Sequence, residues 1–275
     1  MKCRINDLEI NYKTIGEGKP IIAIHGFTPD HRLMIGCLEP ILSDSQGYKR
    51  IYLDLPGMGK TQAKEWIKSS DEILQIVIDF IHNINPCEKF LLAGESYGGY
   101  IARGIVHKMA DKVAGLFLLC PCIVADKTKR NLPVHTIIKR DDALLAEINP
   151  SDADDFSAFH VVQNKRTWER YRDEVLSGAK IADAKFLEQF QETGYEFSFD
   201  VDCSEIKFEK PTLILMGRQD SIVGYKDAWN ILDNYPRATF AVLDQAGHNL
   251  QIEQEEVFDC LVKEWITRTE EYETS

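Results

Sequence analysis

Four segments, Ile21 to His25, Arg50 to Asp54, Lys89 to Gly94 and Val113 to Leu119, are dominated by unbroken apolar runs, and longer segments with helical patterning separate them. A strand with one wet face alternates apolar and polar residues. Continuous runs such as IIAIH, FLLAG and AGLFLL instead need cover on both faces, which parallel strands between layers of helices have. The pattern predicts an α/β fold with a mostly parallel sheet.

Around this sheet the chain divides into parts. CRIN and LEINYKTI, joined at Asn6-Asp7, read as an antiparallel hairpin leading into the sheet. From Pro121 to about Glu209 the chain turns polar and helix-like, as in DDALLAEINP and RTWERYRDEVL, with breaks at Pro133, Pro150 and Gly178. Strand patterning returns at Thr212 to Gly217 and Thr239 to Leu243, with a helix near Lys226 to Asn234 and a closing amphipathic helix from about Glu253 to Thr269. Residues 1–120 and 208–275 are therefore expected to form one core, with 121–207 as a helical insertion above it. Neither a repeat nor a Pro/Gly-rich linker marks a second domain.

Composition narrows the partners. The formal net charge is -12, and no Lys/Arg cluster offers the basic surface that nucleic acid or an anionic membrane rewards. The N-terminal MKCRINDLEINYK lacks the apolar core of a signal peptide, and the run Val113 to Ala125 is too short to span a bilayer. Seven cysteines, Cys3, Cys37, Cys87, Cys120, Cys122, Cys203 and Cys260, show no paired framework. That fits a reducing cytoplasm. Cys120 and Cys122 lack a second ligand pair for a metal and read as buried thiols.

Gly94-Glu95-Ser96-Tyr97-Gly98 follows a buried run and precedes the helical YIARGIVHKMA. A serine at a sharp strand-to-helix turn needs glycines beside it to avoid clashes, and the helix N-terminus directs N–H groups at its oxygen. Ser96 is the expected nucleophile; as a plain turn residue it would only cap the helix. Its base must be a histidine at the same sheet edge, and of seven only His248, in LDQAGHNL, follows the last strand. His25 is assigned to loop support, and His31, His82, His107, His135 and His160 to solvated or packing roles. The orienting carboxylate should also leave a strand end, as Asp220 does after LILMG. Asp244 is expected to shape its own turn, Asp227 to face a helix N-terminus, and Asp54 to organise the DLPGMGK turn. The backbone N–H groups of Phe27 and Tyr97 are the expected oxyanion donors.

Through His25-Gly26-Phe27, Asp54 to Gly59, Gly94 to Gly98, Gly217 to Asp220 and Gly247-His248, the chain resembles the α/β-hydrolase superfamily, in its branch of capped, single-domain esterase-like proteins. The resemblance spans nearly the whole chain. It implies an eight-stranded sheet, a helical cap, no cofactor or metal, the chain order Ser, Asp, His, and acyl transfer through a serine ester. A serine at 96 sets the chain apart from the haloalkane dehalogenase and epoxide hydrolase branches, whose elbow holds an aspartate. A small-molecule acyl substrate is expected, with hydrolysis of a carboxylic ester as the leading reaction. Lactone or carbon–carbon cleavage by the same residues, acyl transfer to an acceptor other than water, and ligand sensing without turnover are the alternatives. Oligomeric state carries no signal. In the insertion, the aromatics Phe156, Phe159, Trp168, Tyr171, Phe186 and Phe190 with Val161 and Val162 are expected to pack internally. Asp141, Asp142, Asp152, Asp154 and Asp155 are expected to form a solvated face.

Overall fold

The computed structural model describes residues 1–43, 47–85, 88–202 and 207–274. Cys87 and Cys203 lie outside the described residues. The chain opens with the hairpin β1 (Lys2–Ile5) and β2 (Leu8–Ile15), which turns at Asn6 with φ +54°. β3 (Lys19–Ile24), α1 (His31–Leu42), β4 (Tyr48–Leu53), α2 (Ser70–Ile84), β5 (Phe90–Glu95), α3 (Tyr97–Met109) and β6 (Val113–Leu119) follow in strict alternation. Between β6 and β7 (Thr212–Gly217) come α4 (Asp142–Glu147), α5 (Pro150–Phe159), α6 (Lys165–Tyr171), a π-helical turn, α7 (Ser177–Ala179) and α8 (Ala184–Thr193). Then α9 (Tyr225–Trp229), β8 (Ala238–Leu243), α10 (Leu250–Glu253) and α11 (Glu255–Thr274) complete the chain.

The eight strands lie in the order β1-β2-β4-β3-β5-β6-β7-β8. β2 meets β4 antiparallel, and every pair from β4 to β8 is parallel. The apolar runs earn their burial: every residue of β5, β6 and β7 is buried. On one face α1 packs with α11, and on the other α2 packs with α3. Strand order reverses between β3 and β5, so the crevice beyond their carboxyl ends is where such a sheet accepts a ligand. The loops after β3 and β5 carry Phe27 and Ser96.

Helix boundaries follow local chemistry. Ser69 and Glu72 form a capping box at the start of α2. Pro150, expected as a break, opens α5 as its first residue, where a missing N–H costs nothing. The closing helix reaches Thr274, past the expected Thr269, and starts after the separate turn α10. Its apolar stripe, Phe258, Val262, Trp265 and Ile266, is buried. No helix of the described residues is long and apolar enough to cross a membrane.

Trp265 is fully buried, lies 5.8 Å from the Phe117 ring and donates its indole N–H to the Pro211 carbonyl. Trp265→Ala should lower the unfolding free energy by about 3–5 kcal/mol, measured by urea denaturation, because it leaves a large cavity and removes one of the two donors to the Pro211 carbonyl, the other being the Leu116 N–H.

Candidate active site

β5 ends and α3 begins within one residue, so Ser96 adopts φ +52° and ψ −116°. Two glycines make this possible. A Cβ on Gly98 would fall 2.2 Å from the Ile24 carbonyl oxygen, and one on Gly94 would fall 2.4 Å from that of Gly98. The turn is tied to the sheet by the Ser96 N–H, which donates to Leu119, and by its carbonyl, which accepts from Cys122 and Tyr100.

The structure brings Ser96, His248 and Asp220 together from three strand ends. The Ser96 hydroxyl lies 2.9 Å from His248 Nε2, and His248 Nδ1 lies 2.9 Å from Asp220 Oδ2. Asp220 Oδ1 accepts from the N–H groups of Ile222 and Val223 at 2.8 and 3.1 Å, so this carboxylate is fixed before it meets the ring. An acid on Nδ1 sets the tautomer: Nδ1–H donates to Asp220, and Nε2 is free to accept the serine proton. Burial disfavours both charges, but their mutual attraction and hydrogen bond prevail, holding Asp220 below the usual carboxylate range and His248 above the usual histidine range.

Among the described residues, neither the Phe27 N–H nor the Tyr97 N–H donates to another group. Both residues flank the serine, and their rings meet edge to face at 5.5 Å. The competing residues settle elsewhere. His25 is buried and accepts the Leu55 N–H on Nε2, which ties the loop after β3 to the loop after β4. Asp54 accepts from the His31 ring, the His31 N–H, the Lys60 N–H and Asn11, so it organises its turn. Asp244 accepts from Gln219, and Asp227 accepts from the Asn131 N–H beyond its own helix. His160 is a packing residue, wedged between the Phe156 and Tyr171 rings.

A cavity of about 650 Å³ opens over Ser96 and His248. Its walls show that the side chains between β6 and β7 do not all pack internally. Phe156, Trp168 and Tyr171 do form a small core with Leu176 and Ile252. Phe159 and Tyr171 nevertheless line the cavity, and Phe190 stacks on Phe27 at 6.3 Å. Asp155 also faces the cavity, so the acidic residues are not uniformly a solvated face, although Asp152 pairs with Lys180 and Asp142 with Arg140. The amphipathic period of these short helices does not say whether their inner face meets a wall or a void.

Two carboxyls near the site, the buried Glu95 and the half-buried Glu253, were not singled out from the sequence. Glu95 lines the cavity beside Ser96, and its only sequence signal is a charge ending the apolar run FLLAG. Glu253 accepts from the N–H groups of Val161, Val162 and Gly247 at 2.7, 3.0 and 2.5 Å. It thereby joins the segment after α5 to the residue preceding His248. Burial pushes Glu253 up to about 7, against the pull of its three donors. Cys120, Asp220 and His248 offer donor atoms within 4.8 Å of one another, as do Asp30, His31 and Asp54. In the first group burial keeps Cys120 a neutral thiol, which is a poor metal ligand, and in both groups the aspartates are already engaged by hydrogen bonds.

The profile of the family described as serine aminopeptidase, S33, matches residues 20–255. The chain belongs to this family of α/β hydrolases. An α/β superfamily hydrolase from Oenococcus oeni PSU-1 superposes with a TM-score of 0.87 at 33% identity, covering 95% of this chain and 96% of the other. At 24% identity over 262 residues, the chain is similar to a 2-hydroxy-6-oxo-6-(2'-aminophenyl)hexa-2,4-dienoic acid hydrolase of Metapseudomonas resinovorans, covering 95% of this chain and 88% of that one. At 23% identity it is similar to a pimeloyl-[acyl-carrier protein] methyl ester esterase of Vibrio campbellii, covering 93% and 98%. The expected fold and superfamily are those found, and the chain is a hydrolase.

Within this hydrolase the Glu253 links are the most exposed to a test of stability. Glu253→Ala leaves three buried N–H groups without an acceptor and should cost about 2–4 kcal/mol. Glu253→Gln keeps one acceptor oxygen and should cost less, both read by urea denaturation.

Proposed function

We propose that the protein hydrolyses a carboxylic ester of a small or medium acyl substrate through an acyl-enzyme on Ser96. The observation that carries this reading is the hydrogen-bonded line from Ser96 Oγ through His248 to Asp220, set at the floor of a cavity. His248 Nε2 takes the hydroxyl proton as Oγ attacks the carbonyl carbon, and the N–H groups of Phe27 and Tyr97 receive the oxyanion. The imidazolium then gives its proton to the departing alcohol oxygen. Water repeats the sequence, with Oγ as the leaving group.

In this reading residues 1–120 and 208–275 are the catalytic core and 121–207 are a cap that shapes the acyl pocket, supported by the helical residues Phe159, Tyr171 and Leu187 in the cavity wall. A cytoplasmic setting is supported by the described cysteines, Cys3, Cys37, Cys120, Cys122 and Cys260, all free thiols. The partner is the small-molecule substrate, not nucleic acid or membrane, in keeping with the net charge of -12. A second reading keeps the three residues and changes the bond to carbon–carbon, favoured by the likeness to the dienoic acid hydrolase.

A fluorophosphonate probe should add once to the protein and not at all to Ser96→Ala, as read by intact mass. An adduct on the variant sinks the assignment. With p-nitrophenyl esters, Ser96→Ala and His248→Ala should each lower kcat by about four orders of magnitude or more. Because the neutral imidazole is the active form and its pKa is raised, kcat/KM should fall as pH drops through a value above the usual histidine range. A panel pairing aryl esters with 6-oxo dienoic acids separates the two readings by which is turned over.

A further inference from the structure

Asp220 is not alone in facing His248. Glu95 stands between Gly94 and Ser96, is buried, and opens onto the cavity that holds the serine hydroxyl. Its Oε1 lies 3.4 Å from His248 Nε2, the nitrogen that lies 2.9 Å from Ser96 Oγ. The imidazole therefore sits between two carboxyls, one on each ring nitrogen. Room for the second comes from Gly26, since a Cβ there would fall 2.1 Å from Glu95 Oε2. Glycine at 26 and an acid at 95 are one device, and the strand-to-helix turn itself requires neither charge nor length at 95.

The surroundings say what the acid is for. Among the described residues no Lys or Arg lies within 4 Å of Glu95, and His248 is its sole basic neighbour at that range. The other groups acting on it are the Gly26 N–H and the like charge of Asp220. It in turn acts on the buried thiols Cys120 and Cys37. Arg130 acts on the imidazole in the opposite sense. Beyond the Gly26 N–H, a carboxyl taken out of water with no other cation gains compensation only while His248 is charged.

We propose that Glu95 is a second positioning carboxyl of the reaction centre, one that stabilises the His248 imidazolium from the cavity side and thereby strengthens it as the base for Ser96. The proposal rests on the Ser96–His248 reading above. Glu95 keeps its own proton count through the cycle: the serine proton passes to Nε2 and on to the leaving oxygen, while the Glu95 carboxylate attracts the ring that carries it. Burial and Asp220 push Glu95 up to about 7, against the attraction of His248, so the help is withdrawn as pH falls and Glu95 becomes neutral.

The test is the pH profile of kcat/KM for a p-nitrophenyl ester in wild type and Glu95→Gln, which keeps the size and removes the charge. The acid limb of the variant should move to lower pH by about half a unit to one unit, and its plateau should fall about three- to tenfold, as a weaker base gives a slower attack. A limb that stays in place overturns the proposal, whatever the plateau. Wild-type protein with isotope-labelled histidine gives a second measurement that needs no variant. The His248 ring should titrate in two steps, its own and that of Glu95, and a single step is equally fatal. Fluorophosphonate labelling separates the two levels: no Ser96 adduct in wild type removes the parent reading, whereas a normal adduct with an unmoved limb removes only Glu95.

Discussion

Ser96 carries φ +52° because β5 must end and α3 begin at one residue, and for a side-chain-bearing residue such a conformation costs on the order of 1–3 kcal/mol. The cost is offset by what surrounds the turn. Gly98 lies against the carbonyls of Ile24 and His25 closely enough to exclude any side chain, and β5 is buried from Phe90 to Glu95. The central strands therefore hold the serine, and the serine loop in turn fixes where the neighbouring strand ends must deliver their side chains. Asp220 leaves β7 and His248 leaves β8, so the remaining two parts of the line come from strands further along the same sheet.

Two carboxyls of the site face one imidazole. Asp220 is held ionised by two backbone N–H groups and by the ring. Glu95 is buried and Glu253 half-buried, and both are pushed towards neutrality by the loss of water. In their ionised forms Asp220 and Glu95 favour any state in which the histidine is charged. In the proposed reaction the charged imidazole is the state that follows proton transfer from the serine, so the field is already arranged before a substrate arrives.

Much of this was legible in the sequence, for physical reasons. Unbroken apolar runs mark strands covered on both faces, and Phe90 to Glu95, Val113 to Leu119 and Thr212 to Gly217 are buried as that rule requires. Ser96 and Asp220 were legible as candidates because each stands just past such a run, and His248 because it follows the last strand, β8, which is only half-buried, into the loops that a parallel sheet collects at one edge. What escaped were contacts between elements. Glu95 reads as the end of a strand until Gly26 is seen to open space for it from another strand. Glu253 reads as a polar helix residue until the N–H groups of Val161 and Val162 arrive from far along the chain. Periodicity reports which face of an element is inward, and carries no record of what stands opposite. Phe159 and Phe156, three residues apart on one helix, show this: Phe156 is fully enclosed in a small core, whereas Phe159 lies at that core's edge and also faces the cavity.

The three donors on Glu253 also constrain how relatives of this chain can diverge. Val161 and Val162 share one carboxylate with Gly247, so the stretch between β6 and β7 is pinned at an internal point as well as at its two ends. Insertions and deletions on either side of that pin change the length of a separate closed loop and leave the histidine where it is. A shift of register across the pin is transmitted straight to Gly247 and so to His248. The stretch between β6 and β7 is thus two segments joined at the Glu253 carboxylate, and a change of length in one can be absorbed there without displacing His248.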